Sequence, residues 1–165
     1  EGYRQGRPMG AVLEGGKQLR LAVSAVADPG TELSPGLPLQ RLQIVKGWID
    51  AAGQPHERVY EVAGDPDNGA SVDIDTCLAS GDGFSQLCKV WQDPAFSPDQ
   101  HAYYYARAVE NPRCRWSQQI CVANGVDCRD PSTIGDGLDG CCRADHRPVI
   151  QERAVTSPVW HYPGS

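Results

Sequence analysis

Seven cysteines carry the most reactive side chains of this sequence. A thiol can ligate zinc, act as a nucleophile or pair in a disulfide bond. Zinc ligands usually come in pairs about two to four residues apart, whereas Cys114, Cys121 and Cys128 follow one another at intervals of seven. The spacing therefore favours disulfides. Disulfides persist in oxidising compartments, so we expect an exported protein, periplasmic or extracellular.

The odd number of cysteines leaves one thiol over, and spacing alone leaves the connectivity open. We predict the pair Cys77–Cys88 first, because these two flank the turn-like Gly81-Asp82-Gly83. The other five fall in a cysteine-rich excursion at 114–142. The disulfide candidates are Cys77, Cys88, Cys114, Cys121, Cys128, Cys141 and Cys142.

An acidic segment at 65–75 could ligate calcium through oxygen atoms. It does not follow the helix–loop–helix calcium pattern, because Gly69 and Ala70 take the places of a ligand and the turn glycine, and Thr76 replaces the closing glutamate. We favour a solvated turn, with calcium as the alternative. The oxygen donors are Asp65, Asp67, Asn68, Asp73 and Asp75.

The remaining catalytic residue types show no motif. The four histidines form no His-x-His or His-Glu-x-x-His pair, and the sequence has no Gly-x-Ser-x-Gly elbow, phosphate loop or dinucleotide fingerprint. We therefore predict no catalytic residue, no cofactor and no metal ligand in this chain.

Six further residues beside strongly structured segments could line a groove or an interface. Surface salt bridges are the favoured alternative for the charged ones, and core or interface anchoring is the alternative for the tryptophans. The candidates are Trp48, Arg107, Arg115, Trp116, Glu152 and Arg153.

The segment that must position these residues is Tyr103–Val109, whose aromatic and β-branched side chains suit a pleated surface. We predict a central strand here, ended by Asn111-Pro112 because proline cannot donate to a ladder. Arg115–Ala123 is predicted to be a short helix that ends at Asn124-Gly125. Further strands are predicted at Lys17–Ala27, Leu39–Asp50, His56–Ala63, Ser71–Thr76, Gln86–Gln92 and, broken at Ser157-Pro158, Val149–Tyr162.

Many short strands joined by turns indicate a mostly β fold, an antiparallel β-sandwich-like domain with a disulfide-rich loop and at most one or two short helices. We expect a single domain over 1–165, with an irregular lead-in at 1–16. The formal net charge of −6 argues against a nucleic-acid partner. No apolar run approaches the ~20 residues of a membrane span. The sequence favours no oligomeric state.

Several short segments of the sequence, taken in order, resemble segments of one bacterial family. They are Pro8-Met9-Gly10, Pro38 to Trp48, Val59 to Gly64, Tyr103 to Arg107, Glu110-Asn111-Pro112, Cys114 to Ser117, Ile150 to Ala154 and Thr156-Ser157-Pro158. Together they are similar to the C-terminal region of the domain of unknown function family 3604. The chain departs from the family pattern at Ala11, where we expect glycine, and at Val155, where we expect tryptophan.

The resemblance implies an exported protein whose N-terminal part carries histidine and acidic motifs similar to metal-dependent phosphoesterases of the polymerase-and-histidinol-phosphatase type. Those motifs would lie upstream of Glu1, so the family pattern supplies no catalytic residue to this chain. We therefore expect a non-catalytic accessory domain whose partner is the upstream domain of the same protein. The alternatives are a metal-dependent hydrolase in its own right and a secreted module that binds carbohydrate or protein through tryptophan and tyrosine.

Overall fold

A computed structural model describes residues 6–32 and 34–164, so the first five residues of the expected lead-in lie outside it. The chain forms two compact units. The sheet unit takes its described residues from Glu1–Pro66, Phe84–Glu110 and Arg153–Ser165, and the cystine unit comprises Asp67–Gly83 and Asn111–Glu152.

Within the described ranges, strands dominate and the one α-helix is short. Two single turns of 3₁₀ helix occur at Pro131–Thr133 and Asp139–Cys142. In chain order, the elements are β1 (Val12–Glu14), β2 (Arg20–Val26), β3 (Leu39–Ile49), β4 (Pro55–Gly64), β5 (Ser71–Val72), β6 (Ala79–Ser80), β7 (Gln86–Gln92), β8 (Ala102–Glu110), β9 (Arg113–Cys114), α1 (Trp116–Ala123), β10 (Val149–Ile150), β11 (Arg153–Val155) and β12 (Val159–Tyr162).

The tyrosine strand, β8, lies in the middle of the main sheet, as the sequence predicts. The order of that sheet is β1-β12-β8-β3-β4, and β11 also pairs with β8. All of these pairs are antiparallel except the parallel pair of β1 and β12. Between β11 and β12, Thr156 continues the pairing with Ala106, before the predicted break at Ser157-Pro158.

A second sheet of β2 and β7 packs on one face of the main sheet, which makes the sheet unit sandwich-like. Leu19, which directly precedes β2, and Leu87 of β7 meet Leu42, Ile44 and Tyr104 of the main sheet in one hydrophobic core. The strand predicted at Lys17–Ala27 forms β2, and its apolar residues alternate, so that Leu21, Val23 and Ala25 turn inward. The predicted fold class is confirmed.

The other face of the main sheet carries Tyr103, Tyr105 and Trp160, which we call the aromatic face. Tyr103 and Tyr105 are half-buried and their rings are parallel, with centroids 6.4 Å apart. Tyr103 leans across to β3 and lies over Gly47, where a side chain would collide with the ring. Trp160 approaches Tyr103 from β12, at 5.7 Å between ring centroids.

The cystine unit contains little regular structure. β5 pairs with β6, and β9 pairs with β10. The strand predicted at Ser71–Thr76 is wrong beyond Val72, because the Asp73 carboxylate accepts hydrogen bonds from the backbone N–H groups of Asp75 and Thr76 and turns the chain. The predicted helix is confirmed, and Gly125 closes it at φ +64°.

We predict that Gly47→Ala destabilises the sheet unit by about 1–3 kcal/mol, because overpacking displaces neighbouring side chains. A Cβ at residue 47 would lie 2.3 Å from the Tyr103 ring. Chemical denaturation measures the loss. Gly140→Ala is the control, because nothing lies within 4 Å of a Cβ placed there. In a Tyr103→Ala background the Gly47→Ala penalty should shrink, and an unchanged penalty would contradict the proposed contact.

Candidate functional site

All seven cysteines lie in the described ranges, and six of them form three disulfides. The pairs are Cys77–Cys114, Cys121–Cys141 and Cys128–Cys142, with Cα atoms 5.5, 5.8 and 5.3 Å apart. All three bonds lie within the cystine unit. The prediction of a disulfide framework with one thiol left over is confirmed.

The predicted pair Cys77–Cys88 is wrong. Cys88 is a free, exposed thiol in β7, where it lies opposite Ser24 of β2. The turn at Gly81-Asp82-Gly83 does not return the chain to Cys77. Instead it ends that segment of the cystine unit, and Phe84 begins a segment of the sheet unit. Cys77 pairs with Cys114, which lies 37 residues away in sequence.

The helix α1 presents two large apolar side chains to solvent, and we call this pair the α1 ridge. Trp116 is 74% exposed and Ile120, one turn later, is 41% exposed. Residues four apart lie on one side of a helix, so the two side chains form one continuous apolar strip. Tryptophan is enriched at protein interfaces, where a partner covers its large apolar ring.

The opposite side of α1 is fixed to the cystine unit. Cys121 is buried and bonded to Cys141. Gln118 donates from Nε2 to the Ile74 carbonyl at 2.8 Å, and its Oε1 lies 2.7 Å from His146 Nε2. The ridge is therefore held in place from behind, by a covalent bond and by polar contacts.

Within the sheet unit, two of the six predicted groove residues, Trp48 and Arg107, lie on opposite sides of the main sheet. Trp48 is half-buried on the core side of β3 and stacks on His56, with ring centroids 5.2 Å apart. Arg107 lies on the opposite side of the sheet, where its Nε donates to Gln43 Oε1 at 2.6 Å. Arg153 is exposed in β11, opposite Val109. Arg115, Trp116 and Glu152 are exposed residues of the cystine unit, and the first two adjoin at the start of α1.

A buried polar cluster in the sheet unit was not found from the sequence. Lys46 Nζ lies 2.6 Å from Asp93 Oδ2, and the two side chains are 2% and 0% exposed. The Tyr104 hydroxyl donates to the same oxygen at 2.7 Å, and Lys46 also donates to the Ala95 carbonyl at 2.7 Å. The backbone N–H of Ala95 donates to Asp93 Oδ1 at 2.8 Å. A signal was present, because Lys46 is the one charge on the apolar side of β3, between Ile44 and Trp48.

The Tyr104 hydroxyl stays protonated in this cluster. Burial raises the pKa of Tyr104 far above its ordinary value, and the hydrogen bond to Asp93 raises it further. A protonated phenol can donate to a carboxylate, whereas a phenolate would repel it. Tyr104 therefore acts as a hydrogen-bond donor to Asp93 throughout the physiological pH range.

Two residues of the acidic segment, Asn68 and Asp73, form turns, and Asn68 Oδ1 accepts a hydrogen bond from the Ala70 N–H at 3.1 Å. Besides the turn at Asp73, Asn68 donates to the Asp82 carbonyl at 2.8 Å and to Asn111 Oδ1 at 2.9 Å. Across residues 6–32 and 34–164, no three side chains of histidine, cysteine, aspartate or glutamate are grouped to hold a metal ion. In the same ranges no helix is long and apolar enough to cross a membrane.

Comparison with known proteins places the chain in a family. The model of the family described as "Protein of unknown function (DUF3604)" matches residues 1–163. The chain belongs to this family, as the short sequence segments quoted above indicate. No curated protein and no solved structure matches the chain.

We predict that Cys88 is the one thiol available to a maleimide reagent in the unreduced protein, folded or denatured. The native thiol should react readily because it is exposed. Mass spectrometry would count a single adduct, and Cys88→Ser should abolish it. Cys77→Ser should add an adduct at Cys114, its partner. A second adduct on the unreduced wild-type chain would contradict the three-disulfide framework.

We predict that folding stability falls as the pH rises above about 10, which is the ordinary pKa of a tyrosine side chain. The folded state holds the pKa of Tyr104 above that value, so the unfolded chain ionises first and is favoured at alkaline pH. Tyr104→Phe should flatten this dependence. It should also lower stability at neutral pH by about 1–3 kcal/mol, because Asp93 loses a donor. Equal alkaline slopes in the two proteins would contradict the buried donor.

Proposed function

We propose that this member of the DUF3604 family is a non-catalytic accessory domain of an exported protein that resembles metal-dependent phosphoesterases. On this proposal it docks through the α1 ridge against the upstream domain of the same polypeptide. The exposure of Trp116, 74% on a helix that a disulfide fixes from behind, is the observation that supports it. The three disulfides are compatible with an oxidising compartment.

The ridge has the properties of an interface anchor. Tryptophan is enriched among the residues that contribute most to binding, because it contributes a large apolar area with few rotatable bonds. Amphipathic helices commonly bind by laying residues at i and i+4 into an apolar groove. Because Cys121–Cys141 and the Gln118 contacts already order α1, docking costs little conformational entropy.

The positive charge of Arg115, beside the α1 ridge, indicates what charge the partner surface would carry. Arg115 is exposed, directly precedes Trp116, and its backbone N–H donates to the Pro148 carbonyl at 2.7 Å. A complementary surface would be an apolar groove for Trp116 and Ile120 with a carboxylate at the end that receives Arg115.

A second candidate function rests on the aromatic face, which places three rings on one side of the main sheet. The parallel rings of Tyr103 and Tyr105 and the neighbouring Trp160, which is exposed, could stack on the apolar faces of a sugar chain. Glu57 acts electrostatically on Tyr103, and its carboxylate could accept hydrogen bonds from sugar hydroxyls. On this alternative the chain is a carbohydrate-binding module.

We predict that Trp116→Ala weakens docking to the separately produced upstream segment of the parent protein by at least ~30-fold, the loss of about 2 kcal/mol typical of an anchor. Titration calorimetry with the disulfide-bonded chain would measure this loss. Trp160→Ala is the matched control and should bind like wild type. Glycan binding lost in Trp160→Ala alone would favour the second candidate. Full affinity in Trp116→Ala, or a parent protein without an upstream segment, would refute the docking proposal.

A further inference from the structure

We propose that Lys46 and Asp93 become joined by an amide bond, so that the sheet unit carries an intramolecular cross-link. Lys46 Nζ lies 2.6 Å from Asp93 Oδ2, and both side chains are almost completely removed from solvent. Lys46 belongs to β3 of the main sheet, and Asp93 directly follows β7 of the second sheet. The bond would tie the two layers of the sandwich together.

The reaction is a condensation that needs no other reactant. A proton first passes from the Lys46 ammonium to the Asp93 carboxylate, which gives a neutral amine and a carboxylic acid. The lone pair of Nζ then attacks Asp93 Cγ and forms the new C–N bond. The bond from Cγ to Oδ2 breaks, and Oδ2 leaves as water with the acid proton and one proton from the amine.

The groups around Asp93 are placed to assist both parts of this reaction. The Ala95 N–H donates to Oδ1 at 2.8 Å, where negative charge develops when Nζ attacks. The Tyr104 hydroxyl donates to Oδ2 at 2.7 Å and supports the departure of this oxygen. The Ala95 carbonyl accepts from Nζ at 2.7 Å and holds the amine against the carboxyl group. Each contact comes from a group that the fold has already fixed.

Burial favours the reaction in two ways. Lys46 Nζ lies 5.3 Å from the ring centre of Trp48 and 5.5 Å from that of Tyr104, so two aromatic rings exclude water from one side of the ion pair. In such a medium an ion pair loses much of its advantage over the neutral acid and amine that must react. Groups held in contact can also react as though at about 10⁵–10⁸ M, and exclusion of water opposes hydrolysis of the product.

The cross-link would give the sheet unit a covalent tie of its own. The three disulfides all lie in the cystine unit, and Cys88, the cysteine in the described part of the sheet unit, is free. Lys46 and Asp93 are separated by 47 positions, so their bond would close a long loop and remove much entropy from the unfolded chain. This inference is independent of the docking proposal.

The test is the intact mass of the full chain, unreduced and denatured, after incubation of the folded protein at physiological temperature. We expect a mass below that of the linear sequence by two hydrogens for each of the three disulfides and by one further water. After reduction and proteolysis, fragmentation should locate the bond between Lys46 and Asp93. Folded wild type without the water loss would overturn the proposal.

Matched variants separate the cross-link from other losses of water. The sequence contains Asp82-Gly83, Asp136-Gly137 and Asp139-Gly140, and an Asp–Gly step can also lose water by closing to a succinimide. Asp93→Asn should lose ammonia from the Lys46 site in place of water, whereas Lys46→Met should lose neither there. Tyr104→Phe should form the bond about 10²-fold more slowly. The disulfide mass deficit and Cys88 labelling report folding in each variant, and a water loss that persists in folded Lys46→Met would refute the assignment.

Discussion

The contact between Lys46 and Asp93 is the interaction on which the sheet unit depends, because it lies where the two layers of the sandwich meet. A buried charge without a partner is far more costly than a missing apolar contact. The surrounding chain is arranged to supply partners: β7 ends where Asp93 is needed, Ala95 turns its N–H and its carbonyl to the pair, and β8 brings Tyr104. In the observed alignment of the two sheets, every member of this network has a hydrogen-bond partner.

The two units achieve stability by different means. The sheet unit buries a continuous core of leucine, isoleucine, valine and aromatic side chains. The cystine unit contributes none of the residues of that cluster and has strands of only two residues, so its order depends on Cys77–Cys114, Cys121–Cys141 and Cys128–Cys142. A disulfide fixes α1 through Cys121, and Trp116 at the start of the helix faces outward.

The sequence predicted what depends on local pattern and missed what depends on distant pairing. Alternation located β2 and β3, aromatic and β-branched residues located β8, and Asn124-Gly125 located the end of α1. Asp93 followed by proline has the local pattern of a turn, so its role toward Lys46 could not be inferred from its neighbours. The Cys77–Cys88 prediction failed for the same reason, because nearness in sequence was taken for nearness in space. Of the six groove candidates, Trp116 belongs to the α1 ridge and Arg115 directly precedes it, and the groove itself stays a prediction.

The long strand β4 has a consequence for the behaviour of the protein at high concentration. Among the strands of residues 6–32 and 34–164, it pairs only with β3, and an open strand edge is a template for association between identical chains. Its charges oppose that outcome. If two copies of β4 paired antiparallel about the exposed Val59, each Glu57 would face the Glu61 of the other copy. Repulsion between these carboxylates discourages fibre growth from this edge, and acidification would weaken that protection.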